Sequence, residues 1–278
     1  MKRISPLHLS LLSLAMTFPA MALSNSQNGT STTTAAVGAE STAEDYFGLR
    51  LKVGQKIGNI FSATVSYQGG GIDDQVQRVG GSALYEVVDA SSDRPKFLST
   101  SRYDGSASRT GVSELRDNGR TACSVKTGKC RQYLDTSGVI FNEYFWGKPA
   151  GKLMAGMSWQ VELPVPWELG PAGTETITVI RVDPANHEVM LKREGNGEGL
   201  MDGGTKQMKV KKDGKEYTVD ITPGTAHWVG FTVFREGLTV SDETLETRAL
   251  TVSSKDFGTS TINERQYTLL NQAPPDLL

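Results

Sequence analysis

Residues 208–219 read Met208-Lys209-Val210-Lys211-Lys212-Asp213-Gly214-Lys215-Glu216-Tyr217-Thr218-Val219. Apolar and charged side chains alternate on both sides of Asp213-Gly214. That dipeptide suits a two-residue hairpin turn, which needs positive φ at both central positions. Closing the turn there sets Val210 opposite Tyr217 and Met208 opposite Val219 on one face. Lys211 then faces Glu216, and Lys209 faces Thr218, on the other. A strand's side chains repeat every two residues, so the segment reads as a hairpin with one dry face and one wet face.

The same pattern spreads outward from this hairpin. From Tyr46 onward, short alternating runs are separated by Gly, Asp, Asn and Pro, and no apolar stripe of helical period extends over 12 or more residues. The 30 glycines and the frequent Val, Thr, Tyr and Ile fit strands joined by turns. A second hairpin is expected at Asp183-Pro184-Ala185-Asn186. Its turn would pair Ile180 with Val189, Val179 with Met190 and Arg181 with Glu188. A third is expected around Val125 to Gly128, setting Cys123 opposite Cys130. Further strands are expected over 47–53, 58–67, 82–89, 96–103, 138–146, 157–163, 226–235, 238–251 and 261–270. Within 226–235, Val229, Phe231 and Val233 alternate with Trp228 and Phe234, which suggests a strand covered on both sides. Gly69-Gly70-Gly71 and Gly195-Asn196-Gly197-Glu198-Gly199 read as loops. The fold class expected is all-β and mostly antiparallel: a large curved open sheet, a half-barrel or a barrel-like sandwich.

The chain starts with the features of an export signal. Met1-Lys2-Arg3 is basic, Leu7 to Phe18 is mostly apolar but too short to cross a bilayer, and Ala20-Met21-Ala22 is a small-x-small cleavage site. The domain reading is therefore a signal peptide over 1–22, a disordered linker over 23–44 and a single β-rich domain over 45–273. Export is to the periplasm or beyond the cell. Removing 22 of the 278 residues leaves 256, enough for a substantial core. In an oxidising compartment the two cysteines, Cys123 and Cys130, read as a disulfide rather than a metal or redox pair.

Composition narrows the partners. The chain has 29 basic and 31 acidic side chains. Without Lys2 and Arg3 the balance is 27 against 31, a net charge of −4. The charges are interspersed, which weighs against nucleic acid, since that partner needs a basic face. Lys206, Lys209, Lys211, Lys212 and Lys215 cluster, but as the wet side of a hairpin. No stretch after the signal is apolar and long enough for a membrane helix. The aromatic girdles of a membrane barrel are not apparent either.

Reactive constellations are scarce. The two histidines of the exported chain, His187 and His227, stand in no metal-ligand spacing. No Gly-x-Ser-x-Gly elbow and no phosphate-cradling loop ahead of a helix is present. Carboxylate pairs close in sequence (Asp242 with Glu243, Glu216 with Asp220, Glu194 with Glu198) lie in polar turns or on wet strand faces. Asp73-Asp74 sits in a glycine loop, where a weak cation site is the sharper reading and a solvated turn the plainer one. No cofactor or metal is expected.

The aromatics carry the positive signal. Trp159, Trp167, Trp228 and Phe231 are the ligand-binding candidates, with Trp159 and Trp167 flanking a Pro164/Pro166 bend that would rim a cavity mouth. The function expected is that of a non-catalytic binding or carrier protein for an apolar, lipid-like ligand. The alternative is a cell-envelope module that binds a protein partner along a free strand edge. A hydrolase is third.

Overall fold

The computed structural model describes residues 42–278 apart from 92–93, 117–118, 134–137, 150, 168–169 and 202–203. The expected signal peptide and most of the expected linker lie outside these residues. The chain is nearly all antiparallel β, 64% strand and 5% helix, in one open sheet of 14 strands that does not close into a barrel.

Two meanders build the sheet. The first comprises β1 (Lys56–Gln68), β2 (Gln75–Asp89), β3 (Lys96–Tyr103), β4 (Arg109–Arg116), β5 (Gly119–Ser124) and β6 (Cys130–Tyr133). The second runs through β7 (Ser158–Leu163), β8 (Ala172–Asp183) and β9 (Glu188–Glu198). It continues with β10 (Gln207–Lys212), β11 (Lys215–Pro223), β12 (Ala226–Arg235), β13 (Leu238–Ser254) and β14 (Gly258–Ala273). Across the sheet the order is β6-β5-β4-β3-β2-β1-β14-β13-β12-β9-β8-β7. The halves therefore meet where the first strand pairs with the last, from Gly58 with Ala273 to Gln68 with Asn263. Strand β13 is long enough to carry two neighbours along one edge. It pairs with β12 over Leu238–Thr247 and with β11 over Leu250–Ser253.

The hairpin at Asp213-Gly214 has the register its alternation dictates, with Val210 opposite Tyr217 and Met208 opposite Val219. Both turn residues have positive φ. Asp73 accepts hydrogen bonds from the backbone N–H of Asp213 and of Gly214, each at 3.0 Å. That carboxylate caps the turn. Cys123 pairs with Cys130, and the two form a disulfide.

Several expectations are corrected. The hairpin at Asp183 pairs Asp183 with Glu188 and Val182 with Val189, and slips by one residue between Val179 and Arg181, so that Val179 faces Leu191. His187 takes positive φ and extends the loop. Burial explains the register, because Val179, Val189 and Leu191 are all fully buried and must share a face. Glu188 pairs with Arg235 on β12, at 2.9 Å, instead of with Arg181. Residues 47–53 do not form a strand. A short helix, α1 (Ala43–Phe47), precedes that stretch and shares only Phe47 with it, started by Thr42, whose N–H donates to Asp45 at 2.7 Å. Residues 138–146 likewise end in helix α2 (Glu143–Trp146), capped by Asn142, which accepts from the Tyr144 N–H at 2.8 Å. Residues 195–198 are strand rather than loop. Gly195 is required there because a Cβ would lie 2.4 Å from the Trp228 ring. Strand β12 is buried on one side only. Val229 and Val233 are half-buried on its other face, and Phe231 is 38% exposed.

Following the pairing from strand to strand assigns every side chain to one of two faces. Trp228, Glu246, Gln266, Val65 and Gln77 lie along one such line on the inner face. The three buried apolar clusters all sit on that side. One packs α1, α2 and Leu153 over β7–β9 and β12. The second folds the β10–β11 hairpin over β13, β14 and β1. The third sets Val139 and Ile140 against β1–β4. Among the described residues, the inner face between them has no apolar cover.

Candidate binding site on the inner face

Three of the four aromatic candidates belong to the filled part of the inner face. Arg193 donates to Glu175 twice, at 3.0 and 2.7 Å, and the Trp228 indole N–H donates to the same carboxylate at 2.9 Å. The guanidinium lies between the Trp146 and Trp167 rings, 4.3 Å from each centroid. Both Glu175 oxygens and the Arg193 Nε and Nη2 thus have partners, and cation–π contact covers the guanidinium faces. Trp159 donates its indole N–H to the Trp146 carbonyl at 2.8 Å. These tryptophans pack together in the same apolar core. Phe231 projects from the opposite face of the sheet.

Next to this core runs a strip of buried polar side chains. Asp242, Thr244, Glu246 and Arg248 on β13 face Glu264, Gln266 and Thr268 on β14, with Glu246 directly opposite Gln266 and Arg248 opposite Glu264. Arg248 is engaged by Glu264 through a short hydrogen bond and by the Gly199 carbonyl at 3.1 Å. Glu246 stands 3.8 Å from the Arg248 Nε and is 2% exposed. Neither of its carboxylate oxygens has a hydrogen-bond partner among the described residues, nor does the Gln266 Oε1, the Thr244 hydroxyl or the Trp167 indole N–H. Gly170 leaves room beside them, since a Cβ there would sit 2.9 Å from the Trp167 Nε1 and 3.1 Å from Glu246. Burial pushes the Glu246 pKa up to about 7, against the opposing pull of Arg248. Asp242 is also raised by burial, and the Thr232 hydroxyl donates to it.

Beyond Asp242 and Thr268 the inner face opens into a groove of about 940 Å³ over β14 and β1–β6. Its floor is made by the small inward residues of successive strands: Ala63, Ala83, Ser101, Gly111, Ser113 and Ala122. Small side chains on a sheet leave depth where large ones would fill it. Phe61, Tyr85 and Tyr103 give the groove apolar surface, with Phe61 and Tyr103 edge to face at 5.3 Å. Its end over β13–β14 holds Asp242, Thr268 and Leu270. Its opposite end holds Arg109, Arg120, Lys126, Lys129 and Arg131.

None of Trp159, Trp167, Trp228 and Phe231 lines this groove. Cys123 does, and its disulfide with Cys130 staples the hairpin that carries Lys126 and Lys129. The groove had a sequence signal that an aromatic search passes over. Alternate residues of β2–β5 are small: Gly81 and Ala83, Ser99 and Ser101, Gly111 and Ser113, Ala122 and Ser124.

The carboxylates singled out in sequence are engaged locally. Glu216 pairs with Lys209 at 2.5 Å, Glu194 with Lys192 at 2.8 Å, and Glu198 accepts from Thr225 at 2.9 Å. Asp220 accepts from Gln207 at 2.8 Å, and Glu243 from the Tyr267 hydroxyl at 2.8 Å. No helix among the described residues is long and apolar enough to cross a membrane. The chain matches no known family model and no curated protein.

Proposed function

We propose that this protein is an exported, non-catalytic binding protein that holds one elongated, largely apolar small molecule along the inner-face groove. The observation that carries the proposal is the groove itself. Its volume falls within the range of small-molecule sites, and its floor of Ala, Ser and Gly lies beside aromatic surface. The disulfide supports an oxidising compartment. The alternative role, capture of a protein partner along a strand edge, has less support. The edge strands β6, β7 and β10 span only four, six and six residues, and short edges are how sheets discourage such pairing.

The test is saturable binding of a fluorescent acyl probe to the protein without residues 1–22. Filling the groove through Ser101→Phe or Ser99→Phe should weaken binding at least tenfold, with the far-ultraviolet circular dichroism unchanged. Absence of saturable binding, or equal affinity in folded groove-filling variants, refutes the reading.

A further inference from the structure

We infer that the groove's ligand carries an acidic head, a carboxylate or a phosphate monoester, and that this head seats over β4–β6 with its chain directed toward β14. The inference rests on the groove reading and names the class of molecule that the groove takes.

The argument is one of register. Arg109 is paired with Ser101, Arg120 with Leu115, and Arg131 with Ala122. Lys129 stands opposite Ser124, whose N–H donates to the Lys129 carbonyl at 2.9 Å. Cross-strand partners share a face, so all four cations lie on the face that carries Ala83 and Ser113. Lys126, in the connecting turn, also lines the groove. The same strands direct Glu114 to the opposite face, where it pairs with Lys96 at 3.5 Å.

Among the described residues the lining of the groove holds five cationic side chains and a single carboxylate, Asp242; Arg120 and Arg131 are already engaged, so Arg109, Lys126 and Lys129 are the cations that would meet an acid. That carboxylate lies on β13, across β14, β1, β2 and β3 from β4. Burial favours its neutral form. The groove thus has one positive end and one end without a cation. An acid lying along it gains at the first and gains nothing at the second, which fixes its direction. The Cys123–Cys130 bond adds preorganisation, because it pins the hairpin bearing Lys126 and Lys129 before a ligand arrives. Cations exposed at a groove mouth act through a field that salt screens over about 8 Å at physiological ionic strength, so the preference is salt-dependent.

The experiment titrates the full exported chain with three probes of equal chain length, dodecanoate, dodecyl phosphate and dodecanol, each below its micelle concentration. The two acids are expected to bind at least tenfold tighter than the alcohol in low salt, with the margin shrinking at 0.5 M salt. Whichever acid is the tighter identifies the oxyanion that the basic end prefers. Arg109→Gln with Lys129→Gln should remove most of the margin and leave dodecanol binding unchanged. Equal affinity for alcohol and acids, or a margin that survives the double substitution, overturns the acidic head and leaves the groove reading intact. Failure of all three probes to bind overturns both.

Discussion

Replacing Glu246 by Gln should make the protein more stable at high pH. The carboxyl is 2% exposed, has no hydrogen-bond partner among the described residues, and stands beside an arginine already committed to Glu264. Folding raises its pKa from the ordinary glutamate value of 4.5 to about 7. Below pH 4.5 the folded and unfolded chains both hold the proton, and the group costs nothing. Between 4.5 and 7 the folded chain keeps a proton that the unfolded chain has released, so stability falls as pH rises. Above 7 the loss is complete. At 1.36 kcal/mol for each pH unit, it amounts to about 3 kcal/mol. For a domain of this size that corresponds to roughly 6–12 °C in Tm. Glutamine copies the shape of the neutral acid and cannot ionise. Urea unfolding of parent and Glu246→Gln at pH 5, 6, 7 and 8 isolates the effect, because all other titrations are common to both. The variant should gain on the parent from pH 5 to 7 and level off by pH 8. A difference that is constant with pH, or that runs the other way, refutes the assignment of a buried carboxyl without a hydrogen bond.

Three further outcomes follow from the packing. Arg193→Met should cost about 3–5 kcal/mol in urea unfolding, because it strands the buried Glu175; adding Glu175→Gln should restore part of the loss, and a cost below 1 kcal/mol would show the pair to be unimportant. Gly195→Ala places a methyl 2.4 Å from the Trp228 ring and should cost about 1–3 kcal/mol with a changed near-ultraviolet circular dichroism; a variant indistinguishable from the parent contradicts the stacking. Asp73→Ala removes the acceptor of two backbone N–H groups and should lower stability by about 1–2 kcal/mol, with faster hydrogen exchange at Asp213 and Gly214; unchanged exchange there would show that the cap contributes nothing.

Local rules were enough where the chemistry is local. Asp213-Gly214 specifies a turn of positive φ, and the alternation around it leaves a single register that buries Val210 and Val219. The cysteine hairpin follows from the same counting. At Asp183 the turn residues point to the right place, but the register is decided by Val179 and Leu191 meeting the core, which a two-strand comparison does not include. The short helices at Ala43 and Glu143 are too brief for a periodic stripe and are marked by their caps alone. Tryptophans do not mark the groove because in this fold the large rings fill space. The open space is made by alanines, serines and glycines that come together only once six strands are in line. The buried ionisable strip was hidden for a related reason. Glu246 and Arg248 alternate with Thr247 and Ala249 just as wet-face residues do, and only the approach of Gly170 to Glu246 and of Gly199 to Arg248 turns that face inward.

The pairing of β1 with β14 has a consequence for how the polypeptide matures. Each meander can zip up from neighbouring hairpins as soon as its own segments emerge. The groove spans the junction, since β14 supplies Leu270 and Thr268 while β1 supplies Phe61 and Ala63. It is therefore incomplete until the last sixteen-residue strand docks on a segment threaded some two hundred positions earlier. A chain cut short before Gly258 would contain nearly every element described above and still hold no finished receptacle.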